Sequence, residues 1–243
     1  MIPGYIDKNR IPRHIAVIMD GNGRWARKKG YKRVFGHRQG TKATREVVRA
    51  CGEIGVEVLT IYVFSSENWK RPKTEVNALM MLLEEMVKLE VPELNKNNVK
   101  MAAIGDTGLL PEKTRNVLMK GIDDTSGNTG LVLNLAISYG GRKEIVSAAV
   151  KAAKRVSSGE LSVADLNETV FSEGLYTAGY PDPELLIRTG GEFRISNFLL
   201  WQAAYSEIVI TETLWPDFGR EELFSAIKDY QSRERRFGGI RED

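Results

Sequence analysis

Six short apolar runs alternate with longer amphipathic segments along this chain, and that alternation constrains its fold most strongly. The apolar runs have the length and composition of buried strands, and helical spacing separates most of them. The predicted strands cover residues 15–19, 57–64, 99–104, 131–137, 184–187 and 207–210. The predicted helices cover residues 38–54, 74–95, 111–123, 141–157 and 219–232. This order is typical of an α/β fold with a central, largely parallel six-stranded sheet flanked by helices.

Length and composition set the broad class of the protein. With 243 residues, of which 42% are hydrophobic, the chain can bury a sizeable core, and we expect one domain over residues 1–243. Cys51 is the single cysteine of the sequence, which excludes an internal disulfide and fits a reducing cytosol. We predict that its side chain lies in the core. The chain shows no signal-peptide core and no run near the roughly 18 apolar residues of a membrane span. A cytoplasmic location is therefore expected.

The first predicted strand ends in a cluster of small and polar residues. Asp20 follows the apolar run and is succeeded by Gly21, Asn22 and Gly23. Two glycines allow a sharp turn whose backbone N–H groups can face a ligand, and α/β sheets bind ligands at the carboxyl ends of their strands. The plainer alternative is a strand-to-helix turn in which Asp20 only caps the next helix.

Positive charge is concentrated directly after this turn. Ten basic residues stand between Gly21 and Arg49 against the single acid Glu46: Arg24, Arg27, Lys28, Lys29, Lys32, Arg33, Arg38, Lys42, Arg45 and Arg49. They could form a solvated helix face, a nucleic-acid patch or a phosphate-ester site. The net charge of only +3 argues against nucleic acid, and the adjacent glycine turn favours a phosphate ester.

Polar loops also follow the second and fifth predicted strands. The first loop, residues 65–72, carries hydrogen-bonding side chains, although a plain surface turn would use the same residue types. In the second loop Arg188 and Arg194 flank a double glycine and precede Ser196, so two guanidinium groups and a hydroxyl could meet one diphosphate. Glu207, an isolated acid at the start of the sixth strand, suggests a metal ligand, although an edge carboxylate is the default.

The predicted helix over residues 74–95 carries a continuous apolar stripe. Its members are Val76, Leu79, Met80, Leu83, Met86 and Val87. Such a stripe is most often ordinary core. The alternative is one wall of an apolar tunnel, in which unbranched methionines adapt to a flexible chain.

Taken together, these motifs resemble the cis-prenyltransferase family, in particular its bacterial undecaprenyl diphosphate synthases, over nearly the whole chain. The matching segments are Met-Asp-Gly-Asn-Gly-Arg-Trp at 19–25, Gly-His at 36–37, Phe-Ser-Ser-Glu-Asn-Trp at 64–69, Ile-Arg-Thr-Gly-Gly at 187–191, Arg-Ile-Ser-Asn-Phe-Leu-Leu-Trp-Gln at 194–202 and Trp-Pro-Asp-Phe at 215–218. Trans-prenyltransferases use Asp-Asp-x-x-Asp motifs on a helical fold. The only adjacent aspartates here, Asp123 and Asp124, precede Thr-Ser-Gly.

The resemblance implies a magnesium-dependent transferase that extends an allylic diphosphate, with farnesyl diphosphate the expected primer, by repeated cis addition of isopentenyl diphosphate. The expected product is a long polyprenyl diphosphate such as undecaprenyl diphosphate, the cell-wall lipid carrier. The family's allylic diphosphate site matches Gly21, Asn22, Gly23, Arg24, Arg33 and His37. Its isopentenyl diphosphate site matches Arg188, Arg194 and Ser196. Further candidate substrate contacts are Trp25, Ser65, Glu67, Trp69 and Arg71.

The same resemblance assigns the metal to Asp20 and Glu207 and gives Asn68 a part in proton removal. Physical chemistry favours a cation at Asp20, because a carboxylate about 4 Å from a phosphate charge is repelled by roughly 4 kcal/mol at an effective dielectric near 20. Mg²⁺ suits such oxygen ligands. The family also implies an apolar tunnel along the stripe from Val76 to Val87, with Val63 and Leu131 beside it.

Assembly and location are implied by the resemblance as well. The family is usually homodimeric, and residues 233–238 could contribute to such an interface or form a solvated charged tail. A lipid product implies peripheral contact with the inner face of a membrane.

Three other functions remain open from the sequence. The chain could make a shorter or longer cis-polyprenyl product, act as a non-catalytic subunit with this fold, or hydrolyse diphosphates. Non-catalytic relatives tend to lose residues such as Asp20, Arg24, His37 and Arg188, all of which are present. The apolar helix and the paired phosphate sites argue against a hydrolase.

Overall fold

Six parallel strands form the central sheet of residues 2–235, the part of the chain that the computed structural model describes. Their bounds are β1 His14–Ile18, β2 Val58–Ser65, β3 Lys100–Ile104, β4 Val132–Tyr139, β5 Leu185–Thr189 and β6 Glu207–Thr211. Every neighbouring pair is parallel, in the order β3-β4-β2-β1-β5-β6. The predicted α/β class is confirmed.

The described residues also form seven α-helices. Their bounds are α1 Asn22–Lys28, α2 Arg33–Ile54, α3 Lys73–Lys96, α4 Glu112–Asp124, α5 Gly141–Ser157, α6 Glu168–Ser172 and α7 Arg220–Ser232. Five of them match the prediction, although α2 begins at Arg33 instead of residue 38. The two that were not predicted, α1 and α6, have only seven and five residues, too few to show helical periodicity.

The strand order places the carboxyl end of β1 where the chain changes direction across the sheet. From β1 the chain continues into β2 on one side and returns later to β5 on the other side. Val17 is level with Ile61 of β2 and Ile187 of β5, so the loops that follow these three strands emerge at one edge. Ligands of open α/β sheets bind at such a position.

The two faces of the sheet bury different amounts of apolar surface. Ile15 and Val17 of β1 belong to the larger core, which also includes side chains of α2, α3, α4 and α7. The alternate residues Ala16 and Ile18 face a smaller cluster around Phe198. Cys51 is buried in the larger core, as predicted, and burial raises the pKa of its thiol to about 12.

The structure also bears on two further predictions, one about membrane spans and one about a dimer interface. No helix among residues 2–235 is long and apolar enough to cross a membrane. Of the segment proposed for a dimer interface, Arg233 pairs within its own chain with Asp229 and Glu207, while residues 236–238 lie outside the described residues. The homodimer and the single domain over residues 1–243 stay predictions.

Candidate active site

Backbone contacts fix Asp20 at the carboxyl edge of the sheet. Its carbonyl oxygen accepts hydrogen bonds from Thr189 Oγ1 at 2.7 Å and from the Trp215 N–H at 3.0 Å. The next residue, Gly21, has φ of 106°, and a Cβ there would lie 2.8 Å from Leu214 Cδ2. Glycine is therefore required at this position both by its conformation and by the approach of Leu214. The turn directs the Asp20 carboxylate toward β5.

The Asp20 carboxylate is held by two arginines. Its Oδ2 accepts a hydrogen bond from Arg188 Nη2 at 2.8 Å, and its Oδ1 lies 3.3 Å from Arg24 Nη2. Burial by itself would raise the pKa of Asp20, but the hydrogen bond from Arg188, the charges of Arg24 and Arg188 and the Gly21 N–H together lower it. Asp20 is therefore an anion at neutral pH.

Arg188 joins the end of β1 to the loop after β5. Its side chain is only 4% exposed, and its Nη1 donates to Ser196 Oγ at 2.8 Å and to the Arg194 carbonyl at 2.5 Å. Ser196 has φ of 49°, so the loop turns sharply to present its hydroxyl. Arg188 and Ser196, both predicted for one diphosphate site, are thus in direct contact.

Arg194 reaches the same region from a more exposed position. Its side chain is 57% exposed, and its Nη1 lies 2.5 Å from Glu192 Oε2. The other oxygen of Glu192 lies 3.7 Å from Arg24 Nη1. Glu192 therefore stands between one arginine predicted for each diphosphate. Sequence reasoning did not assign Glu192, although its place between a double glycine and an arginine offered a signal.

A polar cavity of about 550 Å³ opens beside this cluster. It is lined by Met19, Asp20, Gly21, Asn22, Gly23, Arg24, Arg27, Arg33, His37 and Arg71. Eight of these residues were predicted as site residues. Arg27 was not, although it follows Arg24 by one helical turn on α1. Four arginines around one cavity match the charge of a polyanion such as diphosphate.

His37 lies between the positive side chains of this cavity and the protein interior. Burial lowers its pKa to about 4, and the charges of Arg71 and Arg33 act in the same direction against the opposing effect of Glu75. Glu75 Oε1 lies 3.1 Å from Arg71 Nη1 and 4.0 Å from Arg33 Nε. His37 is therefore neutral at pH 7, and Glu75 orients two of the cavity arginines.

The remaining arginines of the basic segment have other partners. Arg38 pairs with Glu85 at 2.7 Å, Arg45 pairs with Glu90, and Arg49 lies 3.4 Å from Glu46. The first two pairs join α2 to α3. The local excess of positive charge predicted the site, but only part of it faces the polar cavity.

Several predicted substrate contacts do not line this cavity. Trp25 is buried and donates to Asp217 Oδ1 at 2.7 Å. Trp69 packs against Phe64 and donates to Ser138 Oγ at 2.9 Å. Both side chains pack against the loops around the cavity. The sequence did not show this orientation.

The loop after β2 is a short 3₁₀ helix, Ser66–Lys70, at the same edge of the sheet. Ser65 caps it, and the Ser65 N–H donates to Asn68 Oδ1 at 3.1 Å. Glu67 Oε1 accepts from Asn197 Nδ2 at 2.8 Å, which ties this loop to the loop after β5. Ser65, Glu67 and Asn68 therefore lie beside the polar cavity without lining it. Asn197, which sequence reasoning did not assign, fixes one loop against the other.

Glu207 lies at the amino ends of the strands, on the side of the sheet opposite to Asp20. It begins β6 and is level with Leu185, which is itself level with Ile15, five residues before Asp20. Its Oε2 lies 3.0 Å from Arg233 Nη1. A single chain therefore does not bring Glu207 to a metal at Asp20, because the first residue of a parallel strand lies far from the carboxyl edge.

An apolar cavity of about 920 Å³ lies behind the polar one, between α2, α3 and the sheet. Leu79, Met80, Leu83, Met86 and Val87 line it from α3, with Ile61, Val63, Leu133 and Leu135 from the strands. The tunnel predicted along this stripe therefore has a physical counterpart. Val76 and Leu131, both expected to line it, are buried elsewhere in the core.

The two cavities share part of their walls. Met19, Asn22 and His37 line both of them. The combined space therefore has a positively charged entrance at the edge of the sheet and an apolar interior.

The polar cavity offers one carboxylate for a metal. Among its lining residues only Asp20 carries one, and residues 2–235 contain no group of three or more histidine, cysteine, aspartate or glutamate side chains placed to hold an ion. Mg²⁺ is commonly bound by one or two carboxylates together with substrate phosphates and water. Asp20 fits that donor set only with a bound phosphate.

Known proteins match this chain along almost its entire length. Residues 18–238 match the model of a family described as putative undecaprenyl diphosphate synthase. An isoprenyl transferase of Clostridium perfringens is 51% identical over 234 residues, which are 96% of this chain and 92% of that protein. An isoprenyl transferase of Bacillus subtilis is 52% identical over 233 residues, 96% of this chain and 90% of that protein.

Two solved structures share the fold. Lavandulyl diphosphate synthase from Lavandula x intermedia, in complex with dimethylallyl diphosphate, superposes with a TM-score of 0.92 and 37% identity, covering 95% of this chain and 99% of that one. A probable undecaprenyl diphosphate synthase from Campylobacter jejuni gives 0.77 and 38%, with coverages of 93% and 98%.

Proposed function

The chain belongs to the undecaprenyl diphosphate synthase family, and we propose that it extends an allylic diphosphate by successive cis condensation with isopentenyl diphosphate. We further propose farnesyl diphosphate as the primer and undecaprenyl diphosphate as the product. The working unit is a homodimer in the cytoplasm, with peripheral contact to the membrane through the lipid product.

The continuity of the polar and apolar cavities carries this proposal. A polyprenyl diphosphate has a multiply charged head and a long apolar tail, and the shared wall at Met19, Asn22 and His37 joins a space for each. Burial of the tail gains about 0.8 kcal/mol per CH₂, so a growing chain is retained while its head reacts. A hydrolase would need only one diphosphate site, so the apolar cavity together with two arginine clusters favours the condensation.

The residues divide between the two substrates. Arg24, Arg33 and His37 surround the allylic diphosphate, where the arginines stabilise the negative charge that develops as the allylic C–O bond breaks. Arg188, Arg194 and Ser196 hold the isopentenyl diphosphate. The double bond of that substrate attacks the allylic carbon, a proton leaves the new skeleton, and diphosphate is released.

Asn68 orients this reaction from the loop after β2. Its Oδ1 accepts a hydrogen bond from the Ser65 N–H, and its Nδ2 group is available to donate to a substrate. Arg71 and Glu75 link the same loop to the polar cavity. Asn68 thus acts as a donor that positions a diphosphate, and the departing proton goes to another acceptor.

Asp20 is the residue that would hold magnesium, together with diphosphate oxygens. When bound, the ion would neutralise charge on the leaving diphosphate. The Asp20 carboxylate is also paired with Arg188 and Arg24.

Incubation of the purified protein with farnesyl diphosphate and labelled isopentenyl diphosphate tests this proposal. We expect incorporation of label into extractable lipid, dependent on magnesium, with a product of defined size. Chelation followed by readdition of magnesium provides the control. Absence of extension would contradict the proposal and favour a non-catalytic subunit, whereas release of phosphate from the primer alone would favour a hydrolase.

A further inference from the structure

The apolar cavity does not end in the core but continues into an outer cavity between α2 and α3. This outer cavity measures about 620 Å³. It shares Thr41, Thr44, Met86, Glu90, Leu94 and Leu133 with the apolar cavity. The side chains that it adds include Arg45, Arg49, Glu93 and Asn97. The outer cavity also adds Val48 and Val99, so its lining stays largely apolar, and its charged side chains stand at Glu90 and beyond it.

An ion pair stands where the two cavities meet. Arg45 of α2 donates from Nε to Glu90 Oε2 of α3 at 3.0 Å and from Nη2 to Glu90 Oε1. Glu90 lines both cavities, whereas Arg45 lines only the outer one. Two parallel hydrogen bonds fix both side chains, so the ion pair connects α2 to α3 in one geometry.

The backbone of α3 is also interrupted at this point. Pro92, inside the helix, follows Glu90 by two residues and has no N–H to donate to the Lys88 carbonyl. The backbone hydrogen bonding of α3 is therefore weaker next to the ion pair.

We propose that the Arg45–Glu90 ion pair is a gate that limits the length of the polyprenyl product, an inference that rests on the proposed function. Each added five-carbon unit pushes the apolar tail deeper while the lining is apolar. At the gate the next unit must separate the pair or strip water from it, and either change opposes the gain from burial. The outer cavity provides space for further units once the gate is removed.

The chain supplies a matched control for this gate. Arg38 and Glu85 also join α2 to α3, with 2.7 Å between Arg38 Nη2 and Glu85 Oε2. Neither residue lines the apolar or the outer cavity. Loss of this pair removes the same type of interhelical contact without opening the path.

The experiment compares the product sizes of four proteins under excess labelled isopentenyl diphosphate and limiting farnesyl diphosphate with magnesium. They are the unsubstituted chain, Arg45→Ala/Glu90→Ala, Glu90→Gln and the control Arg38→Ala/Glu85→Ala. Total incorporation is measured beside chain length. We expect the first double variant and Glu90→Gln to shift the longest product upward by at least one five-carbon unit, and the control to match the unsubstituted chain.

The possible failures are distinguishable. Unchanged product length with normal incorporation in both gate variants would overturn the gate alone, as would an equal shift in the control. Absence of incorporation by the unsubstituted chain would overturn the proposed function and the gate with it. If the double alanine variant does not fold, Glu90→Gln, which keeps the size of the side chain, decides the question.

Discussion

The polar and apolar cavities share a wall but hold their ligands by opposite means. The polar cavity uses a few fixed charges, among which Asp20 is held at 2.8 Å by Arg188, a residue beside the cavity. The apolar cavity uses many weak contacts from α3 and the strands, none of which is indispensable by itself. We therefore expect substitutions in the polar cavity to change reaction rate or substrate affinity, and substitutions in the apolar cavity to change product size.

The largest effect is expected from Asp20→Asn, which removes a charge while keeping the size of the side chain. Loss of one partner from a hydrogen-bonded charge pair costs about 2–5 kcal/mol, so turnover should fall by about 10²-fold or more. The rate of label incorporation measures this, and the size of the residual product should not change. Glu57→Gln is the matched control, because Glu57 pairs with Arg13 in an exposed position. A near-normal rate for Asp20→Asn would remove Asp20 from the mechanism.

A second effect separates the two diphosphates within the polar region. Arg24→Ala should raise KM mainly for the allylic substrate and Arg194→Ala mainly for isopentenyl diphosphate. Each rise should be about tenfold or more, since a hydrogen bond to a charged group contributes about 1.5–3 kcal/mol. Initial rates with one substrate saturating and the other varied give both constants. A rise for the same substrate in both variants would contradict the division.

A smaller effect is expected from placing a larger side chain in the wall of the apolar cavity. Val63 lines this cavity, so Val63→Phe should shorten the longest product by one or more five-carbon units, while the first condensation stays within about threefold of normal. Sizing of the extracted lipid measures the first quantity and single-addition rates the second. Met81→Phe is the control on α3, because Met81 is 67% exposed. A slower first addition at unchanged length would contradict the separation of the two regions.

The last prediction concerns the pH dependence of folding stability, through the protein's two histidines, and involves no change in the reaction. His37 lies on the shared wall and His14 is buried against Thr60 and the Pro181 carbonyl, and burial lowers both pKa values to about 4. The unfolded chain, with an ordinary pKa near 6.5, therefore binds more protons between pH 6.5 and 4. Stability is fully present above pH 6.5 and should fall through this window by up to about 3 kcal/mol for His14.

Urea unfolding at several pH values measures this loss. The variant His14→Gln should show a shallower decline than the unsubstituted chain over the same window. An identical slope in the two proteins would show that His14 titrates normally in the folded state.

The polar cavity was the more predictable region because much of it is contiguous in sequence. Asp20 to Arg24 follow one strand, so the end of that strand and its glycines were sufficient to locate them. The resemblance supplied His37 and Arg33, which arrive from α2. The apolar stripe of α3 was predicted from periodicity, but which of its residues face a cavity depends on packing that periodicity does not show.

The residues that the structure places away from the two cavities have equally physical reasons for their positions. Glu207 begins β6, so a parallel sheet places it away from the carboxyl edge within one chain. Leu131 precedes β4, and its side chain is buried in the core instead of lining the apolar cavity. The strand boundaries already contained that information for Glu207. Trp25 and Trp69 follow the expected motifs, but their ring directions depend on the partners Asp217 and Ser138, which are distant in sequence.

Photocrosslinking tests most directly whether the two cavities form one site. The probe is a farnesyl diphosphate analogue with a photoreactive group at the end of its tail, competed with unlabelled farnesyl diphosphate. We predict competed crosslinks to the inward residues Leu79, Leu83 and Met86 of α3. Crosslinks confined to Met81 and Leu89, which are 67% and 55% exposed on the outer face of the same helix, would contradict a site that runs from the polar into the apolar cavity.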